Sequence, residues 1–264
     1  EQQLQILADT QAITLQRGQQ EVKLVRQDDQ WLVANSDNFP VLQPRLAALL
    51  LNLRGAEVQE EKTDNPDYHQ RLGLSADSEL PVLQVTLDAG DTTLGLLYGN
   101  AVGKGQLLRF ADANQVLLIN RPLTVSVNSH DWLDLQVSNV PLDKAEQGDY
   151  NFRLAGEASA EGQERKLNSM VLALANLQAQ NVSLRSKLAL GQPGLSMQLD
   201  TWSGAQLAAS LYQLDNQYWL TVDAVKQSDE QPLDVRIDPR WAYQLSVAQH
   251  DQLALRAADL QPAE

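Results

Sequence analysis

The thirteen residues from Leu46 to Val58 return in altered form 124 positions later, from Met170 to Val182. Leu50, Asn52, Leu53 and Val58 are matched by Leu174, Asn176, Leu177 and Val182. Each stretch carries an apolar helical stripe that leads into an extended segment. Leu42, Leu46, Leu49, Leu50 and Leu53 share one face in the first; Leu167, Met170, Val171, Leu174 and Leu177 do so in the second. Such a stripe must be buried against another layer, so a recurring strand–helix–strand unit restricts the fold strongly. Further matches keep the same order: Leu87-Asp88 with Leu199-Asp200, Leu97-Tyr98 with Leu211-Tyr212, and Trp132 with Trp241. The offset drifts from 124 to 112, 114 and 109, which places deletions in the loops of a shorter second copy.

Short alternating runs surround the helices. Ile13 to Val33 reads as three strands of an antiparallel meander, with turns at Arg17-Gly18-Gln19 and Gln27 to Gln30. Pro40 and Pro44 suit a helix start, and Gly55 is expected to end that helix in the left-handed conformation. Ala56 to Glu61 is extended, Lys62 to Gln70 is a polar loop, and strands resume at Val82 to Leu87 and Thr92 to Tyr98. A turn over Gly99 to Gly105 then leads to Gln106–Phe110 and Gln115–Ile119. In the second half Tyr150–Leu154, Val182–Leu184, Leu195–Leu199, Gln206–Tyr212 and Tyr218–Val222 repeat the strand pattern. The expectation is an α+β fold of two diverged repeats, 1–134 and a shorter 135–264. Each is a mostly antiparallel β-meander with one Leu-rich helix packed on its sheet.

Charge narrows the function classes. Lys and Arg number 20 against 34 Asp and Glu, a formal balance of −14. Nucleic-acid and lipid-headgroup binding rely on clustered basic residues, so neither is expected of this chain. Cysteine is absent, which removes disulfides, thiolate nucleophiles and Cys-type zinc sites. No apolar run reaches the roughly 18–20 residues that span a bilayer.

The motifs that resemble chemistry each lack a necessary part. Gly99-Asn100-Ala101-Val102-Gly103-Lys104-Gly105 has three residues between its glycines where a phosphate loop has four. Gly105 also replaces the metal-holding hydroxyl, and the segment joins strands instead of opening a helix. Gly194-Leu195-Ser196 has only the first glycine of a nucleophile elbow. His69, His130 and His250 lie far apart, with no second ligand at metal-binding spacing. The carboxylate pairs Asp28-Asp29, Glu60-Glu61 and Asp229-Glu230 lack the spaced oxygen pattern of a calcium loop. The reading is non-enzymatic, with no cofactor, metal or catalytic residue; Trp202, in a turn, is the possible contact residue. Two alternatives stand beside it: a ligand cleft at the seam between the repeats, and a hydrolase assembled in space from a histidine and a Ser or carboxylate.

The order of Trp31-Leu32-Val33, the Leu-rich helix, Arg71-Leu72-Gly73-Leu74, Leu96-Leu97-Tyr98-Gly99 and Trp132-Leu133 resembles a bacterial family of unknown function. Its members are often found beside ABC-type transport components of the gliding-motility auxiliary type. The resemblance is better in the first copy, roughly Ile13 to Val140. It implies an N-terminal membrane anchor ahead of Glu1, an extracytoplasmic location and a protein partner in a membrane complex. It implies no catalytic residues.

Overall fold

Alternating apolar and polar residues, interrupted by Gly, Asp and Asn that accept left-handed backbone, favour strands joined by tight hairpins. The computed structural model describes residues 2–139, 150–154, 164–201, 204–230 and 232–256, and the chain divides into two units between Asp134 and Leu135. The first unit opens with helix α1 (Gln2–Asp9) and strands β1 (Ala12–Arg17), β2 (Gln20–Gln27), β3 (Gln30–Val33) and β4 (Phe39–Pro40). Helix α2 (Gln43–Gly55) follows, then β5 (Val58–Glu61), β6 (Leu83–Asp88), β7 (Thr93–Val102), β8 (Gly105–Phe110) and β9 (Leu117–Ile119). They form one sheet, ordered β4-β3-β2-β1-β6-β7-β8-β9-β5, with antiparallel neighbours throughout. The two meanders legible in the sequence are therefore one sheet, joined where Leu15 of β1 lies opposite Val85 of β6.

The register decides what each face buries. Ile13, Leu15, Val22, Leu24, Val85 and Leu87 share one side through their cross-strand pairs and are buried. Leu46, Leu49 and Leu53 of α2 are also buried, and Leu53 lies beside Leu87 and Leu96 of the sheet. The opposite side of β7 and β8 is covered by the loop after β5. Leu74, fully buried, packs there with Leu97, Leu107 and Val116.

The second unit contains β10 (Tyr150–Leu154), α3 (Glu164–Ala175), β11 (Asn181–Leu184), β12 (Leu195–Thr201), β13 (Gln206–Leu214), β14 (Gln217–Lys226), β15 (Trp241–Leu245) and α4 (Val247–Leu253). Its antiparallel sheet runs β10-β12-β13-β14-β15-β11. Without β2–β4, the first sheet reads β1-β6-β7-β8-β9-β5 and follows the same order strand for strand. In both, the strand after the helix closes the far edge. Ser246 and Gln249 make a reciprocal capping box that starts α4.

Three local expectations differ from the structure. Gly55 is the last helical residue and its φ is not positive. A Cβ there would lie 2.5 Å from a guanidinium nitrogen of Arg121, the far end of a flexible side chain, so this contact alone does not require glycine. Gly99 to Val102 continues strand β7, and the turn is confined to Gly103 (φ 60°) and Lys104. Trp132 closes a 3₁₀ turn after β9, whereas Trp241 opens β15, so the two tryptophans hold different places in the strand order.

Candidate interaction surface

Helix α2 is apolar almost all round, a pattern expected of a helix enclosed on every side. One side remains open. Pro44, Arg45, Ala47, Ala48, Leu51 and Arg54 are exposed, Leu51 to 66%. Beside this face runs a groove of about 600 Å³, walled by Arg45, Ala48, Leu49 and Asn52 of the helix and by Pro122, Leu123 and Val125. Trp132, 1% exposed, forms its end, and the Arg45 guanidinium lies 5.9 Å from the Trp132 ring centre. No carboxylate lines the groove, and Arg45 is the charged side chain in its wall, in a chain of net charge −14. Two backbone links fix the near end: Leu42 N–H donates to the Trp132 carbonyl (2.7 Å), and Val41 bridges Leu133. At the far end Asn52 Nδ2 donates to the Pro122 carbonyl at 3.0 Å.

In the second unit the corresponding helix is partnered. α4 packs against α3, and Met170, Val171 and Leu174 are buried. Asn176, the counterpart of Asn52, likewise ties the helix to a neighbouring segment, its Oδ1 accepting from Gln136 Nε2 at 3.1 Å. In the first unit Leu7 of α1 and Leu53, near the C-terminal end of α2, line a common space.

Two of the segments that carried the sequence resemblance interlock. Arg71 to Leu74 lie along Gly99-Asn100: Asn100 N–H donates to the Leu72 carbonyl at 2.9 Å, and Asn100 Nδ2 donates to the Arg71 carbonyl at 3.0 Å. His69, 7% exposed, holds the same loop through a 2.9 Å hydrogen bond between Nε2 and the Asn114 carbonyl. A polar hollow of about 660 Å³ lined by Asp67, Gln70, Arg71, Glu79 and Asn100 lies over this junction. The Arg71 guanidinium stacks 5.0 Å from the Tyr68 ring centre.

Hydroxyls and carboxylates also gather on the second sheet. Asp223 accepts from Ser210 (2.5 Å) and Thr221 (2.8 Å) and pairs with Arg185 at 3.4 Å. Arg185 in turn donates to the Tyr212 hydroxyl, and Ser196 bonds to Ser210. The carboxylate is occupied by these donors, and two histidines are engaged elsewhere. His69 holds its loop, while His250 stacks on Tyr218 at 3.9 Å and pairs with Asp251. Among the described residues no three His, Asp or Glu side chains gather to hold a metal, and no helix is long and apolar enough to cross a membrane. Trp202 lies outside the described residues.

A family model described as a domain of unknown function (DUF4340) matches residues 31–193. The chain belongs to that family. No curated protein and no solved structure matches it. The DUF4340 match takes in the α2 groove, the Arg71–Leu74 interlock with Gly99-Asn100, and the second unit up to the segment just before β12. The stripe on α2 reads first as a core-facing helix and second as a partner-binding one, and the groove beside it belongs to the second reading. Its signal was present in Ala47, Ala48 and Leu51, which leave the helix without a polar side.

Proposed function

We propose that this DUF4340 chain is a non-catalytic interaction domain, working outside the cytoplasmic membrane as an accessory to an ABC-type transport complex. The observation that carries the reading is the open apolar side of α2. Burying it removes Leu51, Ala47 and Ala48 from water, and apolar surface contributes about 25 cal/mol per Å². The partner is an amphipathic helix of another protein, with acidic residues beside its apolar stripe. A helix suits the groove because α4 takes such a place against α3 in the second unit. Acidic flanks suit Arg45 in the groove wall and the exposed Arg54 at the end of the same helix, whereas a second copy would oppose −14 to −14. The setting beside a transporter is drawn from the family resemblance, with an anchor ahead of the domain.

Photo-crosslinking from position 48 in intact membranes tests this. The expected result is an adduct with a membrane-complex subunit that Leu51→Gln sharply reduces at unchanged melting temperature. Recovery of the full-length protein in the cytosolic fraction, with no membrane protein attached, would overturn it.

A further inference from the structure

Asn52 lies at the far end of the α2 groove, and half of its amide is unused. Nδ2 donates to the Pro122 carbonyl at 3.0 Å, but among the described residues nothing donates to Oδ1, which is shielded from water. A buried polar atom without a partner costs free energy, and such atoms are few in folded chains. The residue aligned with Asn52 shows how that oxygen is satisfied elsewhere in the same chain. Asn176, directly after α3, accepts from the side-chain amide of Gln136 at 3.1 Å. The walls beside Asn52 are Ala48, Leu49, Pro122 and Leu123, so a donor arriving there meets hydrocarbon on most sides. A neutral amide enters such a place at lower cost than an ammonium group does. Arg45, also in the groove wall, stands seven residues earlier on the same helix, about 10 Å away at 1.5 Å per residue.

We propose that Asn52 determines which helix the α2 groove accepts, its Oδ1 taking a hydrogen bond from a Gln or Asn side chain in the partner's apolar stripe. The terminal torsion of asparagine is soft, so a small turn of the amide brings the oxygen toward a seated donor. Arg45 meets a carboxylate two turns away along the same stripe. The partner therefore carries an Asp or Glu and a Gln or Asn seven residues apart. This selectivity rests on the docking reading above and adds to it the side chains that the partner must present.

Adducts from a photo-crosslinker at position 48, one turn from both Arg45 and Asn52, are mapped by mass spectrometry after irradiation of intact membranes. The crosslinked segment is expected to show the acid and the amide at that spacing. Asn52→Leu, or Asn52→Met should that variant not fold, is expected to lower adduct yield about tenfold, the cost of leaving the partner's amide unpaired. Changing the partner's amide residue to Leu is expected to do the same. The two changes together are expected to restore most of the yield, since both polar groups are then gone. Damage to α2 itself would not be repaired from the partner's side. Full yield with Asn52→Leu, no recovery in the double change, or a mapped segment without an amide at that spacing overturns the role of Asn52 and leaves the docking reading standing. No adduct with Asn52 in place overturns both.

Discussion

At the scale of single residues, the absence of a side chain is as specific as its presence. Gly99 has a φ open to any residue, yet a Cβ there would sit 2.5 Å from the Leu72 carbonyl and 2.8 Å from Leu74 Cγ. Gly103 is the reverse: its φ is 60° and nothing lies within 4 Å of the added atom. Gly99→Ala is therefore expected to lower stability by about 2–3 kcal/mol, as overpacking does, and to loosen the Arg71–Leu74 segment. Gly103→Ala should lower it by about 1–2 kcal/mol, the strain of a left-handed alanine, without moving that segment. Urea unfolding and amide exchange at Leu74 separate the two effects. Asp238 carries a pH effect. Hydrogen bonding by Arg240, at 2.7 Å, holds its carboxyl below the ordinary carboxylate value, and Trp241 Nε1 adds a 3.0 Å bond. A depressed carboxylate stabilises the fold above its unfolded pKa of about 3.9, and that contribution is lost as pH falls through the lower folded value. Arg240 is largely exposed, so about 0.5–1 kcal/mol is expected. Asp238→Asn should cost this at pH 6 and much less near pH 2, measured by urea titrations at both values.

At the scale of elements, α2 shows what a sequence pattern can and cannot decide. Its buried residues Leu46, Leu49 and Leu53 follow the helical period and were legible in advance. The open side was not, because alanine and leucine give the same signal whether or not a partner covers them. Leu51→Gln should change stability by less than about 0.5 kcal/mol, while Leu53→Ala should cost about 2–5 kcal/mol. Thermal melts of the two variants check the pair. Strand positions were largely readable from period-two alternation and hairpin glycines. The contact between β1 and β6 was not, since nothing local in Ile13 or Leu15 names Val85 as a partner. Gly99 misled for a physical reason: a glycine that marks close approach looks the same as one that marks a turn.

At the scale of the whole molecule, each unit has its own sheet and its own buried residues. The order β1-β6-β7-β8-β9-β5 recurs as β10-β12-β13-β14-β15-β11, and the helix occupies the same place in both chains of elements. The two units thus share one strand order, and β2–β4 extend one edge of the first sheet. A unit that carries a sheet, a covering helix and a buried face should fold alone. Residues 1–134 are expected to give a β-rich circular dichroism spectrum and a single cooperative unfolding transition. Leu74→Ala in that fragment removes a fully buried side chain packed on Leu97, Leu107 and Val116. It should lower stability by about 2–5 kcal/mol without changing the denaturant slope. A broad, non-cooperative melt of the fragment would show that the first sheet depends on residues beyond Asp134, and the unit boundary would have to be redrawn.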